Sequence, residues 1–364
     1  MNKLPNGWTE YKLKDLCVIN YGKGLGKSNI VNGNIPVYSS GGIIGFHNTY
    51  NVNSEGVIIG RKGNAGSVFY SDKPFFCIDT AFYIEPNNQY DLKYLFYKLV
   101  SMNLKNHKTG TAVPGLIRND IYKLSISIPP LDEQKRIASA LSKIDAYLEN
   151  TIKLIEEKER FKRGIAKKLL TCKEGENIPE ARFKGFEDEW ETKTLNSISN
   201  IKKGEQKNKL DLIADGKYPV LNGGMNFLGY CNSYNREANT ITISEGGNAG
   251  YVNFIKEKFW SSGHCYTLHD LKIDKYFLYQ CLKNSEKRLM KLQLGTALKN
   301  IRQSEIVEFE LNIPKSIKEQ EKIGGYLSLL DAEIDNLKKQ KELIKEMKRG
   351  AMQKLLSGEV RLLE

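Results

Sequence analysis

The sequence repeats itself, in order, from end to end, and this confines the chain to an architecture made of two copies of one unit. Trp8-Thr-Glu-Tyr-Lys-Leu-Lys-Asp-Leu16 returns as Trp190-Glu-Thr-Lys-Thr-Leu-Asn-Ser-Ile198. Pro36-Val37 and Gly41-Gly42 return as Pro219-Val220 and Gly223-Gly224, and Gly63-Asn64-Ala65-Gly66 recurs unchanged as Gly247-Asn248-Ala249-Gly250. Gly110-Thr111-Ala112 with Ile117-Arg118 matches Gly295-Thr296-Ala297 with Ile301-Arg302, Ile128-Pro129 with Glu133-Gln134 matches Ile313-Pro314 with Glu319-Gln320, and Lys162-Arg163-Gly164 with Lys168-Leu169-Leu170 matches Lys348-Arg349-Gly350 with Lys354-Leu355-Leu356. The offset drifts from 182 residues (Trp8 to Trp190) to 186 (Lys162 to Lys348). Matches that keep their order over a whole chain are the signature of a tandem duplication. At 364 residues, each copy is long enough to bury a core of its own.

Each copy has two parts. Residues 1–130 and 187–315 carry short runs rich in Val, Ile, Tyr and Phe, broken by Gly and Asn. Val57-Ile58-Ile59, Ser67–Tyr70, Ala81–Ile84, Thr240–Ile243 and Cys265–Leu268 read as strands, and Asp91–Val100 and Asp274–Leu282 as short helices, so this part is α+β with β dominant. The second part is a long helix, at 131–173 in the first copy and 316–364 in the second, with 174–186 as the linker between copies. Pro129-Pro130 ends a strand and Asp132 is suited to cap the helix that follows. Ile137, Leu141, Ile144, Leu148 and Ile155 then recur at coiled-coil spacing with one break at Thr151, and Ile323, Leu327, Leu330, Ile334 and Leu337 recur without one. Stripes this narrow call for a partner helix rather than a globular core. Copies related by an approximate two-fold axis would pair the two helices as an antiparallel coiled coil; a parallel pair is the alternative.

Charge bears on the partner. Fifty-five Lys and Arg against forty-three Asp and Glu leave +12, which favours a polyanion. No apolar run is long enough to span a bilayer, and the first residues lack a signal-peptide core, so a soluble, cytoplasmic protein is expected. The six cysteines form no C-x-x-C pair and the four histidines sit at no ligand spacing, so free thiols and no metal site are expected. Gly22-Lys-Gly-Leu-Gly-Lys-Ser28 resembles a phosphate-binding loop but is one residue short, and the second copy has no counterpart. Ile128-Pro129-Pro130-Leu131 lacks the amide and the aromatic that a target-amine loop of methyltransferases needs. No nucleophile arrangement is visible, and no catalytic residue is assigned.

The helix-start phrase Ile-Pro-Pro-Leu-Asp-Glu-Gln-Lys-Arg-Ile (128–137), the junction Arg182-Phe-Lys-Gly-Phe-Glu-Asp-Glu-Trp190 and the ending Lys348-Arg-Gly-Ala-Met-Gln-Lys-Leu-Leu-Ser-Gly-Glu-Val360 resemble those of the specificity (S) subunit of type I restriction-modification enzymes, over essentially the whole chain. The resemblance implies two target recognition domains, each reading one half of a bipartite site in double-stranded DNA. It implies helices that set the gap and dock two methyltransferase (M) subunits, and restriction (R) subunits that join the assembly. S-adenosylmethionine, ATP and Mg would belong to those partners, with no cofactor on this chain. Two alternatives stay open: a scaffold whose coiled coil holds two ligand-binding β domains apart, and a nucleotide hydrolase using the glycine loop.

The duplication also sorts candidate DNA-contacting residues. Positions alike in both copies should fold the chain or touch phosphate: Asn64 and Asn248 in the Gly-Asn-Ala-Gly turns, and Arg118 and Arg302. Positions that differ should carry sequence reading. Arg61-Lys62 stands where the second copy has Glu245-Gly246; an arginine suits the O6/N7 edge of guanine, while a glutamate accepts from the cytosine amine. Ser39 and Ser40 stand opposite Asn222 and its neighbour, and Lys23, Lys27, Lys203, Gln206 and Lys207 occupy the early basic loops. Lys158, Lys162 and Lys167 read as solvated flanks of the first helix. The shared Lys-Leu-Leu ends and the outer helix faces are candidates for the methyltransferase surface.

Overall fold

A computed structural model describes residues 4–26, 30, 33–107, 115–295 and 299–363. The chain divides into two units, 1–152 with 340–364 and 153–339, and the division falls inside both long helices.

The first unit contains β1 (Thr9–Lys12), α1 (Leu13–Leu16), β2 (Asn20–Tyr21), β3 (Ile35–Ser39), β4 (Gly42–His47), β5 (Gly56–Gly60), β6 (Val68–Ser71), β7 (Phe76–Cys77), β8 (Ala81–Ile84), α2 (Leu92–Ser101), α3 (Arg118–Tyr122), β9 (Ser125–Ile128) and the first part of α4 (Leu131–Leu170). A four-stranded sheet in the order β2-β8-β5-β6 lies beside a three-stranded one, β4-β3-β7, and β1 pairs with β9 to bring the ends of the globular part together.

The second unit contains the rest of α4, then β10 (Glu191–Thr194), α5 (Leu195–Ile198), β11 (Asn200–Lys203), β12 (Tyr218–Leu221), β13 (Gly229–Cys231), β14 (Thr240–Ser244), β15 (Val252–Ile255), β16 (Trp260–Ser261), β17 (Cys265–His269), α6 (Lys275–Asn284), α7 (Glu286–Met290), α8 (Gln303–Val307), β18 (Glu310–Ile313) and most of α9 (Ile317–Ser357). Its sheets, β11-β17-β14-β15, β13-β12-β16 and β10-β18, repeat those of the first unit strand for strand. The apolar runs read as strands lie in β5, β6, β8, β14 and β17. Val57, Ile58 and Ile59 are fully buried, as an inner strand covered on both faces requires.

The shared Glu-Gln pair couples each globular part to its long helix. Gln134 accepts from Asp91 N–H (2.9 Å) and donates to Pro129 O (2.9 Å); Gln320 does the same with Asp274 N–H (2.9 Å) and Pro314 O (2.8 Å). Asp91 and Asp274 in turn cap α2 and α6 through Tyr94 N–H and Phe277 N–H. Asp132 does not cap α4. Pro130 O accepts the first helical bonds, from Glu133 and Gln134 N–H, which puts Asp132 inside the first turn, where its charge suits the helix dipole.

Within each unit the two helices run antiparallel. In the second, Lys158–Glu333 (2.7 Å), Glu159–Lys338 (2.6 Å) and Lys162–Asp331 (2.5 Å) cross the pair; in the first, Asp145–Lys348 (2.5 Å) does. Lys158 and Lys162 are therefore ion-paired flanks rather than freely solvated ones.

The seam residues differ in what they meet. Ile137 and Leu141 join the core formed by Leu13, Leu95 and Ile126, and Ile323 and Leu327 join the core around Trp190 and Phe277. Each helix thus belongs to a globular core over its first turns, contrary to what its narrow stripe implies, because those turns lie against the sheet domain as well as the other helix. Ile155 and Ile334 are buried, while Ile144, Leu148, Leu330 and Leu337 are half-buried. The Leu-Leu ends also depart from expectation. Leu169 and Leu170, and Leu355 and Leu356, are buried in the two cores and offer no outer surface; only Lys168 and Lys354 remain exposed there.

All six cysteines are free, and burial pushes the Cys17 and Cys77 thiols up to about 12. No helix among the described residues is long and apolar enough to cross a membrane.

Lys98, on α2, donates to Leu356 O at the end of α9 (2.6 Å), and burial lowers its pKa from 10.5 to about 8. Below about 8 both folded and unfolded chains are protonated here, so this site adds no pH dependence. Between about 8 and 10.5 the unfolded chain holds the extra proton, and stability rises with pH. The unfolding free energy of the wild type should therefore gain on that of Lys98→Met across this window and run parallel to it below pH 7.5, as chemical denaturation at a series of pH values would show.

Candidate functional site

Inner strands β5 and β14 end at corresponding places, and the residue that leaves the strand is Arg61 in one unit and Glu245 in the other. Their backbones are held in the same way. Arg61 N–H donates to Thr80 O (2.9 Å) and Arg61 O accepts from Leu116 N–H (2.8 Å); Glu245 N–H donates to His264 O (2.9 Å) and Glu245 O accepts from Ile301 N–H (2.8 Å). Thr80 and His264 are thus counterparts. Strand register adds a third pair: Tyr21 lies opposite Phe82, and Lys203 opposite Tyr266. Arg118 opens α3, but its counterpart at the start of α8 is Gln303, which donates to Ile201 O (3.1 Å) as Arg118 does to Ile19 O; Arg302 stands one place earlier, so the two arginines that look alike in sequence do not coincide in the fold.

The same scaffold carries opposite electrostatics in the two units. In the first, the Arg61 guanidinium lies 4.9 Å from the Tyr21 ring centre and 5.8 Å from that of Phe82, and its Nη1 donates to Asp79 O (3.1 Å). The Arg118 guanidinium lies 4.7 Å from the same Tyr21 ring, with Nη1 donating to Ile19 O (3.4 Å) and Nε buried without a partner. Among the described residues neither arginine meets a carboxylate, so Tyr21 holds two cations together by their attraction to its ring. Tyr21 itself is 46% exposed.

In the second unit, Glu245 accepts from Lys203 Nζ (2.5 Å) and Tyr266 OH (2.9 Å), and His264 Nδ1 lies 3.2 Å from its other oxygen. Burial works to raise the Glu245 pKa, but the bonds from Lys203 and Tyr266 and the Lys203 charge outweigh it and hold the carboxyl below its ordinary value. Buried Arg236 fixes the end of β11 by donating to Lys203 O (2.8 Å) and Thr267 Oγ1 (2.8 Å).

The other candidates are distributed around these clusters. Lys62, Asn64, Asn248 and Arg302 are exposed, and the Arg302 side chain meets no partner among the described residues. Lys23 is exposed beside β7, its N–H donating to Cys77 O (2.9 Å). Lys207 Nζ sits 3.7 Å from the Trp260 ring centre and donates to Ser233 Oγ (3.2 Å), with Gln206 exposed next to it. Asn222 is occupied in accepting from His264 N–H (3.3 Å). Ser39 closes the β3–β4 turn through Gly41 N–H and Gly42 O, and Ser40 is 9% exposed with its N–H on Thr80 Oγ1 (3.3 Å), so both serve the turn first. Lys27 lies outside the described residues.

The Gly-Asn-Ala-Gly turns have an internal explanation. Gly66 and Gly250 take φ +83° and +85°, and an added Cβ would stand 2.5 Å from Lys105 N and 2.8 Å from Met290 N. The close approach is to the chain's own backbone, and it leaves only Asn64 and Asn248 facing outward. Sequence reasoning passed over Tyr21, Thr80, His264 and Tyr266. The drifting offset between copies would have aligned Tyr21 with Lys203, and so marked that position as a divergent one.

Comparison with known proteins identifies the family. The family model for the type I restriction modification DNA specificity domain matches residues 5–157 and 187–346. A Mycoplasma pneumoniae protein named as a type I specificity subunit, S.MpnORF638P, is 40% identical over 151 residues, which cover 41% of this chain and 40% of that protein; the match spans less than half of that relative's length. The type I restriction enzyme MjaVIII specificity subunit of Methanocaldococcus jannaschii is 27% identical over 344 residues, covering 85% of this chain and 80% of that one. The fold is similar to the crystal structure of a type I restriction-modification S subunit from M. genitalium, with a TM-score of 0.76 and 24% identity over 97% of both chains.

Proposed function

Because the chain belongs to the type I restriction-modification DNA specificity family, we propose that it is the non-catalytic subunit that gives such a system its DNA sequence preference, each sheet domain reading one half of a bipartite site. The observation that carries this is the paired site just described: one scaffold built twice, with two arginines on one tyrosine ring in one copy and a lysine–glutamate pair in the other. A protein binding one ligand twice has no use for that difference, whereas a reader of two unlike half-sites requires it. The excess of basic residues supplies the sequence-independent attraction to phosphate.

In this function Lys23, Lys27, Lys62, Asn64, Lys207, Asn248 and Arg302 contact the backbone, while Arg61, Glu245 and their neighbours face base edges. The remaining candidates, Ser39, Ser40, Asn222 and Gln206, shape the loops between them. The exposed helix faces dock two methyltransferase subunits, which hold S-adenosylmethionine, and restriction subunits joining them use ATP and Mg. The work is done on chromosomal DNA in the cytoplasm.

Methylome sequencing of the native cell, with this gene intact and then deleted and its neighbours untouched, tests the proposal. The expected result is loss of one bipartite adenine-methylation motif. A methylome that keeps every such motif after deletion would sink it.

A further inference from the structure

Among the differences between the two units, one spatial set changes as a coupled group. Three positions meet at the end of the inner strand: 21, 61 and 80 in the first unit, and 203, 245 and 264 in the second. All three change together, from Tyr, Arg and Thr to Lys, Glu and His, while the backbone bonds of Arg61 and Glu245 keep their lengths. The residue under the set changes little, from Phe82 to Tyr266, and the residue beside it changes from Arg118 to Gln303, each opening its short helix and donating to the matching carbonyl, Ile19 O and Ile201 O.

The changes are chemically coupled. An arginine at 61 is held by an aromatic ring at 21, and a lysine there would repel it. A glutamate at 245 is held by a lysine at 203, and a tyrosine there would leave it without its main counter-charge. Exchanging one member alone breaks the set; exchanging all three carries it over intact.

Resting on the reading of the chain as a DNA specificity subunit, we propose that this three-position set is the exchangeable element that makes the two half-sites differ. Arg61, aimed by Tyr21, reads a guanine through its O6/N7 edge. Glu245, aimed by Lys203 and His264, accepts from a major-groove exocyclic amine, that of cytosine or adenine. Tyr21 and Lys203 are positioning residues. Arg61 keeps donors beyond the one spent on Asp79 O, which a bidentate contact to guanine needs. Glu245 keeps one acceptor site beyond those taken by Lys203, Tyr266 and His264, of the roughly four a carboxylate offers, and its lowered pKa keeps it an acceptor.

The test places variants of the full gene in the deletion strain and reads the methylated motif. Lys203→Tyr with Glu245→Arg and His264→Thr moves the first unit's set into the second. One base pair in one half-site should then become a guanine contact, with the other half and the gap unchanged. Glu245→Gln keeps the shape but removes the charge and turns one acceptor oxygen into a donor amide, and discrimination at that same base pair should fall by about tenfold or more. Tyr21→Phe keeps a ring face for the two arginines and should leave the motif intact, whereas Tyr21→Leu should relax one base of the opposite half.

An unchanged motif in both the triple variant and Glu245→Gln overturns the proposal, as does a change confined to the gap. If the triple variant methylates nothing, Glu245→Gln decides the matter. Deletion of the gene separates the two levels. If deletion removes a bipartite motif and these variants do not alter it, the specificity subunit stands and the three-position element falls. If deletion removes nothing, the functional reading itself falls.

Discussion

Replacing Glu319 by Ala lowers the unfolding free energy of the second unit by about 3–5 kcal/mol, the usual cost of removing one partner of a buried ion pair. The carboxylate is 2% exposed and takes both arms of Arg182, Nε on Oε1 and Nη2 on Oε2, each at 2.8 Å, and it also accepts from Trp190 Nε1 at 3.3 Å. Its loss leaves a guanidinium with little water around it and an indole N–H with no acceptor, so most of the penalty lies in what is stranded. The first unit repeats the device: Arg361 Nε and Nη2 meet Glu133, itself 2% exposed, at 2.6 and 2.7 Å. Urea titration followed by tryptophan fluorescence measures the effect. A loss under about 1 kcal/mol, the range of exposed pairs, would show that these pairs do not lock the globular parts.

Replacing Leu327 by Lys unfolds the second unit's core outright at ordinary temperature. The side chain is fully buried among Trp190, Phe277 and Ile323. Truncating a leucine in such a place costs about 2–5 kcal/mol, and an ammonium adds a charge with no counter-ion among the described residues of that apolar cluster, in a domain whose whole stability is only about 5–15 kcal/mol. Hydrogen exchange provides the readout: β14, β17 and α6 should lose protection. The same change at half-buried Leu330 should cost less, because the lysine stem can lie along the apolar surface with its head in water. Equal losses at the two positions would mean that the seam is a uniform coiled coil rather than a helix built into a domain core.

These variants also mark how far the sequence could be read. The repeated Glu-Gln pairs were visible as a pattern, and the pattern was correct. Their chemistry was not visible, because Arg182 lies 137 residues from Glu319 and Arg361 lies 228 from Glu133. The heptad stripes specified a pair of helices from spacing alone; that they run antiparallel was suggested by the duplication, with a parallel pair still open. That the first turns of those helices, and the Leu-Leu ends, belong to globular cores was hidden, because a stripe records that a face is covered and not what covers it. Lys162 resembled any other charge on a helix surface until Asp331 appeared 2.5 Å away.

The candidate site divides in the same way. Arg61 and Glu245 stood out because a duplicated chain compares itself, and opposite charges at matched positions are visible without any structure. Tyr21 escaped notice because its importance lies in having two arginines on one ring, a property of folded space. The sequence by itself determined the number of units, the alternation of sheet domain and long helix, the basic charge and the divergent positions, since all of these follow from local propensity, periodicity and self-comparison. Only the tertiary structure decided which side chains meet. Hydrogen bonds, ion pairs and ring–cation contacts act over a few ångströms between residues that the chain separates by tens to hundreds of positions.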